Sequence, residues 1–367
     1  MKHRPGSIAR AHSESPLTDH ARRAIFAPLF ALIVAAAVLG GWAEAVRAAP
    51  EDKFAAVVIM YHRFGATTAP STNIRLDQFE AHLKELREGG YAVLPLPRIV
   101  TALADGEALP PRTVGISIDD AYLSAYTEAW PRLRAAGFPF TLFVATAPVD
   151  RKLKRYMSWD QVRDLAKAGV TIGSQTASHL HMATSTAGRN RADLAKSNQR
   201  FKAELGKVPE LFAYPYGEAS SEVMAVVREA GFSFAFGQHS GVLHSTADKS
   251  FLPRFAMNEA YGGIHRFRLA VNALPLVVGD ITPADPLIRV NPPAFGFTVK
   301  SKAKHNLNRL ACYLSGRGKL PVVRLGNRIE VRPTIPFPPG RARINCTLPG
   351  PDKRWRWFGI QLMVPKT

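Results

Sequence analysis

The sequence predicts an α/β domain followed by a small all-β domain. Between Ala55 and about Pro275, short apolar runs alternate with segments of helical periodicity, most of which end at glycine. Strands and helices in this rhythm are typical of parallel βαβ units, which form either a barrel or a doubly wound sheet. After Pro283 the apolar runs become short and alternating, with proline and glycine between them. That pattern is typical of an antiparallel β-sandwich of immunoglobulin-like size.

In the α/β domain, apolar runs predict the strands, and periodic segments that stop at glycine predict the helices. The run AAVVIM at residues 55–60 is apolar throughout, which indicates a buried strand. Further strands are predicted at residues 114–118, 140–144, 170–172, 211–213 and 232–236. Helices are predicted around residues 79–86, in the segment that ends at 136, and at 159–167, 192–205 and 223–230.

The second domain is predicted from seven short runs with a two-residue alternation. The proline-rich stretch at residues 283–286 is the predicted boundary, so the domains are assigned to residues 50–282 and 285–367. The predicted strands of the sandwich are residues 287–290, 295–299, 310–314, 322–325, 329–331, 342–346 and 355–364.

The chain carries a net charge of +19, and most of it lies in the second domain. Residues 285–367 contain sixteen Lys or Arg and three Asp or Glu, a net charge of +13. This charge is either a solvated surface or a docking surface for an anionic glycan or a membrane surface, and we favour docking. Nucleic acid would also suit the charge, but the sequence contains no nucleic-acid motif. No nucleic-acid partner is therefore expected.

The first 49 residues have the pattern of a targeting segment. Arg22 and Arg23 precede an apolar stretch at residues 24–41, and small residues follow at 43–48. This order is that of a signal peptide, and an uncleaved membrane anchor is the alternative. Both predict that the remaining chain is exported, either to the periplasm or to the outer side of the inner membrane.

The sequence contains two cysteines, Cys312 and Cys346, both in the second domain. In an exported domain, one disulfide is the simplest interpretation, and two buried free thiols are the alternative. A zinc site built on these cysteines is not expected, because the Cys-x-x-Cys spacing is missing.

Polar side chains collect directly after four of the predicted strands. Because the carboxyl ends of parallel strands converge on one face, these side chains should meet there. Carboxylates, histidines and a turn-forming backbone together predict a metal-assisted hydrolytic site. The candidates are His62 after the first strand, Asp119 and Asp120 after the second, Gln175, His179 and His181 after residue 172, and Tyr214, Pro215 and Tyr216 after residue 213.

Each feature also has a structural explanation when it is taken alone. An Asp-Asp pair after a strand often caps a helix, and a lone histidine such as His179 is more often structural than a ligand. A Pro-Tyr-Gly sequence is usually a turn. The specificity of the prediction comes from the order of the four features and from their shared position at strand ends.

Five segments resemble the successive motifs of the polysaccharide deacetylases, the NodB-homology enzymes of carbohydrate esterase family 4. They are VVIMYHRFG, VGISIDDAY, FTLFVAT, MSWDQVRDLAKAGVTIGSQTASH and FAYPYGE, within residues 54–260. The resemblance implies a distorted (β/α) barrel, hydrolysis of acetyl groups on an acetylated glycan, and a divalent metal, commonly zinc.

The resemblance also implies roles for individual residues. Asp119 matches the family's general base, and Asp120 matches its metal-binding aspartate. His179 matches the second metal histidine, and Gln175 stands where the family has the first. Tyr216 matches the residue whose backbone N–H stabilises the oxyanion.

The sequence departs from the family pattern at several of these positions. Gln175 is a weaker zinc ligand than histidine, and His181 is the residue that could compensate for it. Ala213 stands where many members have an arginine that braces the base. The general acid has no clear counterpart, so His239 is taken as the candidate. Arg254 is interpreted as a polar substrate contact at a late strand end, together with His62, Tyr214 and Pro215.

The resemblance therefore implies a metal-dependent deacetylase that hydrolyses N-acetyl groups of an extracytoplasmic polysaccharide or oligosaccharide. Two alternatives stay open: an O-acetyl esterase on the same fold, and a carbohydrate-binding protein that has lost catalysis. The sequence does not identify the glycan or the metal.

Overall fold

The computed structural model describes residues 50–300 and 306–365. The predicted targeting segment lies outside these residues. Within them, no helix combines the length and the apolar character that crossing a membrane requires.

The first domain is built on a half-barrel sheet of nearly all parallel strands. The sheet runs in the order β10-β1-β5-β6-β7-β8-β9, with β4 and β11 paired to β5 and β1. Among the described strands of this sheet, β10 alone pairs antiparallel, at the edge beside β1. The strands of this domain are β1 (Ala55–Tyr61), β2 (Arg63–Phe64), β3 (Asn73–Ile74), β4 (Ala92–Val93), β5 (Thr113–Asp119), β6 (Thr141–Val144), β7 (Thr171–Ser174), β8 (Leu211–Ala213), β9 (Phe234–Phe236), β10 (Leu243–His244) and β11 (Phe255–Ala256).

Helices cover this sheet, and as a result its central strands are buried. All seven residues of β1 and all seven of β5 are buried, as expected for parallel strands covered on both faces. The helix after β7 begins at the N-cap Thr186 and ends at Gly206, whose left-handed conformation (φ 75°) allows the chain to turn toward β8. The helices are α1 (Leu76–Glu88), α2 (Leu96–Ala104), α3 (Trp130–Ala136), α4 (Thr146–Asp150), α5 (Trp159–Lys167), α6 (Ala187–Leu205), α7 (Ser221–Glu229) and α8 (Ile264–Val271).

The second domain is a sandwich of two sheets that enclose a core of their own, and the strands pair antiparallel except for the parallel pair of β12 and β20. One sheet has the order β12-β20-β19-β15-β16, and the other has the order β13-β14-β18-β17. The α/β half-barrel and the separate all-β domain confirm the predicted fold class. The strands are β12 (Leu274–Pro275), β13 (Val278–Thr282), β14 (Phe295–Val299), β15 (Ala311–Leu314), β16 (Gly318–Leu320), β17 (Val322–Leu325), β18 (Arg328–Val331), β19 (Gly340–Pro349) and β20 (Trp355–Val364).

The boundary between the domains lies earlier in the chain than the predicted stretch at residues 283–286. β12 pairs with β20 and β13 pairs with β14, so the chain enters the sandwich directly after α8. The prolines lie in the connection between β13 and β14. A proline-rich connection has the composition of an interdomain linker, and this explains the prediction.

The sandwich is closely docked on the α/β domain. The guanidinium of Arg354 donates to both carboxylate oxygens of Asp52, at 2.7 and 3.1 Å. A Cβ at Gly359 would lie 2.0 Å from the carbonyl oxygen of Ser240, so only glycine allows this approach. The second contact places β20 beside the loop that follows β9.

The predicted disulfide is confirmed. Cys312 and Cys346 lie directly opposite each other on β15 and β19, both without exposed surface, and are bonded.

Replacing both cysteines with alanine is expected to lower the free energy of unfolding by about 3–4 kcal/mol, because the bond closes a loop in the unfolded chain. Urea unfolding of the oxidised protein and of the Cys312→Ala/Cys346→Ala variant would measure the difference. The reduced wild-type protein is the matched control and should lose a similar amount. A loss below about 1 kcal/mol would contradict a stabilising role.

His82 is a fully buried histidine of the α/β core whose ring nitrogens both have partners. The Tyr61 hydroxyl lies 2.9 Å from Nδ1, and Nε2 lies 2.8 Å from the Gly262 carbonyl oxygen. A neutral ring satisfies both contacts, since Nε2–H donates and Nδ1 accepts. Burial lowers the pKa of His82 from 6.5 to about 4, although the Gly262 carbonyl opposes the shift.

We expect this residue to make the protein acid-sensitive. Above pH 6.5 the ring is neutral in both states, and between pH 6.5 and pH 4 only the unfolded chain takes up the proton. His82 should therefore lower the free energy of unfolding by about 3 kcal/mol over this interval, and His82→Gln should remove this contribution to the slope. Urea unfolding at several pH values would show it, with the exposed His265→Gln as control. An unchanged slope in the His82 variant would disprove this assignment.

Candidate active site

Asp119, at the carboxyl end of β5, is held by a buried arginine. Arg254 Nη1 and Nη2 donate to the two carboxylate oxygens at 2.6 and 2.9 Å, and neither side chain has exposed surface. Arg254 also donates to the Gly237 carbonyl oxygen and to Ser117 Oγ. Arg254 therefore braces the carboxylate, a function that Ala213 cannot supply. Its predicted role as a direct substrate contact is wrong, because all three guanidinium nitrogens already donate to Asp119, Gly237 and Ser117.

Asp120, the next residue, has a left-handed backbone, with φ 74°. Its Oδ1 lies 3.1 Å from His179 Nε2. Burial acts to raise the pKa of Asp120, but the nearby imidazoles of His179 and His62 outweigh it, and the pKa is lowered to about 2. Burial acts to lower the pKa of His179, yet the Asp120 carboxylate raises it above its ordinary value. The two residues form a charged pair at the site.

Gln175 is fully buried next to this pair, but its oxygen has another partner. Gln175 Oε1 accepts a hydrogen bond from the backbone N–H of Asp120 at 3.1 Å. Because that N–H needs an acceptor, the carboxamide cannot turn over to present its oxygen elsewhere. Gln175 Nε2 has no hydrogen-bond partner among the described residues and, as a donor, cannot bind a metal.

His181 does not compensate for Gln175. Its ring stacks on the Tyr216 ring, with centroids 4.0 Å apart and an interplanar angle of 6°. Its Nδ1 lies 2.8 Å from Glu218 Oε2, and over half of its side chain is exposed. The prediction that His181 is a metal ligand is wrong, because these contacts direct the ring to Glu218 and Tyr216.

The residues present do not fit a three-ligand zinc centre. Zinc sites in enzymes commonly use three protein ligands and a water. In residues 50–300 and 306–365, no group of three His, Cys, Asp or Glu side chains is placed to hold a metal ion. Asp120 and His179 are the only two of the predicted ligands that meet.

The loop after β8 has an unusual backbone. Tyr216 and Gly217 both have positive φ, at 59° and 68°. Gly217 cannot be replaced without a shift, since a Cβ there would lie 2.5 Å from the Gln238 nitrogen. The N–H of Tyr216 donates to no acceptor in the described parts of the chain. It is therefore free to bind a ligand.

Tyr214 and Pro215 lie on the buried side of this loop and do not line the groove of the site. Both are buried, and the Tyr214 hydroxyl donates to the Ser250 carbonyl oxygen at 2.8 Å. Their predicted role in substrate binding is therefore wrong, because they face the interior.

A groove of about 430 Å³ opens over Asp120, His179 and Tyr216. His62 lines it, and His62 Nε2 lies 3.9 Å from Asp119 Oδ2. Sequence reasoning missed several residues of the groove wall. For one of them the available signal was the aromatic residue two positions after Asp120. The missed residues are Tyr122, Arg151, Tyr156 and, from the sandwich, Arg341.

His239 lies outside this groove. It lines a separate cavity of about 270 Å³ between the domains, where its ring contacts Phe251. Burial, with the positive charges of Arg254 and Arg343, lowers the pKa of His239 to about 3. A histidine that is neutral at pH 7 and faces another cavity cannot supply the proton, so the prediction that His239 is the general acid is wrong.

Comparisons with known proteins agree with this fold. Residues 106–235 match the sequence model of the polysaccharide deacetylase family. The chain is 24% identical over 216 residues to the poly-β-1,6-N-acetyl-D-glucosamine N-deacetylase of Escherichia coli K12, which covers 47% of this chain and 32% of that protein. It is 22% identical over 199 residues to the enzyme of the same name from Staphylococcus aureus MSSA476, which covers 51% of this chain and 68% of that protein. The chain thus spans about a third to two thirds of these relatives.

Solved structures share the fold of the α/β domain. IcaB from Ammonifex degensii superposes with a TM-score of 0.53 at 26% identity, over 58% of this chain and 96% of that one. The Streptococcus pyogenes deacetylase PplD superposes with a TM-score of 0.56 at 16% identity, over 60% of this chain and 99% of that one. The α/β domain therefore has the fold of polysaccharide deacetylases, and residues 106–235 match the sequence model of that family, as the sequence motifs predicted.

Proposed function

We propose that this protein hydrolyses N-acetyl groups of an extracytoplasmic polysaccharide or oligosaccharide. The observation that carries the proposal is the Asp119 carboxylate, which Arg254 holds on two oxygens beside a groove lined by His62. Relatives with the same domain are named as poly-β-1,6-N-acetyl-D-glucosamine N-deacetylases.

Asp119 is the proposed general base. Each carboxylate oxygen has two lone pairs, so the two hydrogen bonds from Arg254 leave acceptor capacity for a water molecule. The brace fixes the direction of the remaining lone pairs, which orients that water toward a bound acetamide carbonyl. Asp119 would take the proton of the water as its oxygen attacks.

His62 is the proposed general acid, in place of His239. It is the histidine at the groove that lies beside Asp119 and is not paired with Asp120. From that position it can protonate the sugar nitrogen as the bond to the acetyl carbon breaks.

The N–H of Tyr216 is the proposed oxyanion donor. It faces no acceptor among the described residues and belongs to a loop that lines the groove. A preoriented backbone N–H stabilises negative charge on the tetrahedral intermediate. Although the family is generally metal-dependent, no step is assigned to a metal here, because the described residues bring together only two ligands.

The second candidate function is glycan binding without catalysis. The arrangement of only two metal ligands among the described residues favours it. A groove with Tyr122 and Tyr156 on its wall could bind a glycan without cleaving it, since aromatic rings pack against sugar faces.

The buried disulfide supports an exported location, since such bonds persist in oxidising compartments. We propose that the protein works in the periplasm or on the outer side of the inner membrane. The basic sandwich would then dock on an anionic glycan or a membrane surface.

Acetate release from defined glycans tests these proposals. Oligomers of β-1,6-linked N-acetylglucosamine and an O-acetylated glycan would be assayed with and without added zinc. Release from the N-acetyl substrate supports the proposed function, and release from the O-acetyl substrate alone makes the protein an esterase. Binding without any release, measured by calorimetry, would establish a carbohydrate-binding protein.

A further inference from the structure

The sandwich domain reaches the deacetylase site through one buried side chain, Gln361. This residue lies on β20 and has no exposed surface. Its Nε2 donates to the carbonyl oxygen of Tyr216 at 3.1 Å and to that of Gly217 at 2.7 Å. Both acceptors belong to the loop after β8, so this contact joins the second domain to the site itself.

The orientation of the Gln361 carboxamide is determined within the sandwich. Its Oε1 accepts a hydrogen bond from Arg343 Nε at 2.8 Å, and Arg343 lies opposite on β19. A guanidinium has donors and no acceptor, so it must face the oxygen of the carboxamide. The NH₂ group is therefore directed at the loop, and each of its two hydrogens has a carbonyl partner.

The loop needs such support. A left-handed backbone costs a tyrosine roughly 1–2 kcal/mol, and the loop keeps this conformation only where surrounding contacts impose it. The N–H groups of Gly217 and Glu218 bond to the carbonyls of Tyr214 and Pro215 within the loop. The carbonyls of Tyr216 and Gly217 are held from outside by Gln361, and the N–H of Tyr216 is left free.

We propose that Gln361 is a positioning residue for deacetylation, and that the sandwich is a working part of the active site. Gln361 holds the Tyr216 loop so that the free N–H of Tyr216 faces the groove, where the oxyanion forms. This inference rests on the proposed function, since it assigns the N–H a role in the reaction.

Two substitutions separate this role from a structural one. Gln361→Met has a similar length and no donor. Gln361→Glu keeps an acceptor for Arg343 but places a carboxylate against the two loop carbonyls. The matched control is Arg354→Gln, which removes another contact between the domains, the pair with Asp52, away from the loop.

Both Gln361 variants of the full-length protein are expected to lower kcat by about 100-fold with KM little changed. The reason is that a misplaced Tyr216 N–H weakens the hydrogen bond to the oxyanion, which exists only in the transition state. Hydrogen exchange at the backbone amides of Tyr214, Gly217 and Glu218, which are hydrogen-bonded in the wild-type protein, should become faster in both. The Arg354→Gln control should keep the wild-type kcat and the wild-type exchange at the loop.

Wild-type kcat and exchange in Gln361→Glu would overturn the proposal, since Gln361 would then serve only Arg343. If Gln361→Met does not fold, the Glu variant decides alone. If the wild-type protein releases no acetate, the proposed function fails, and exchange still tests the support of the loop. Faster exchange confined to the amides of Tyr214, Gly217 and Glu218 would uphold it, and unchanged exchange would overturn it.

Discussion

Asp119→Asn is expected to lower the rate of acetate release by about 10²–10⁴-fold, the usual contribution of a general base. Asparagine has the shape of aspartate but cannot accept a proton at neutral pH. The change removes the carboxylate that lies beside His62 and is held by Arg254. Steady-state acetate release on the preferred glycan would measure it.

Stability must be controlled in this experiment, because the variant leaves the Arg254 charge buried without its carboxylate. Breaking a buried ion pair typically costs about 3–5 kcal/mol, so rates should be compared at a temperature where both proteins are folded. Asp77→Asn is the matched control, since Asp77 is an exposed carboxylate that also pairs with an arginine. Full activity in Asp119→Asn would remove the residue from the mechanism.

The position of the acidic pair could be predicted because it depends on local sequence. An apolar run ends at Asp119-Asp120, and the carboxyl ends of parallel strands form the functional face of such sheets. β5 was found where the pattern placed it, and Asp120 lies at the groove.

The support of Asp119 could not be predicted, because it comes from a residue distant in the chain. Arg254 lies 135 positions away and reaches the carboxylate through the packing of the half-barrel. A sequence comparison at position 213 therefore suggested that the brace was missing, although a different strand end supplies it.

The sequence could not predict the orientation of the histidine rings or the contribution of the second domain to the site. His181 lies two residues from His179, yet it stacks on Tyr216. No local pattern on β19 or β20 distinguishes Arg341 and Gln361, which reach the site, from neighbouring residues that do not. Their role depends on how the sandwich docks.

Gln175→His is expected to raise the affinity of the protein for zinc by about ten- to a hundred-fold, the usual effect of one ligand or of its supporting contact. Gln175 is fully buried and within hydrogen-bond distance of the Asp120 backbone. An imidazole reaches about as far as a carboxamide, so its nitrogen would lie near the Asp120–His179 pair with little repacking. Three ligands would then be available, as zinc enzymes commonly have. Calorimetric titration of metal-free protein with zinc would measure the gain without any assay of activity.

The His181→Ala change tests whether the gain comes from position 175 itself. Because the His181 ring stacks on Tyr216 and bonds to Glu218, the double variant Gln175→His/His181→Ala should bind zinc as tightly as the single variant. His181→Ala alone should bind zinc like the wild-type protein. If both Gln175→His proteins keep the wild-type affinity, the loop does not direct residue 175 toward Asp120 and His179 in solution. In that case the presence of Gln175 instead of histidine would not be the reason why only two ligands meet. The backbone of the whole loop would then differ from that of a metal centre.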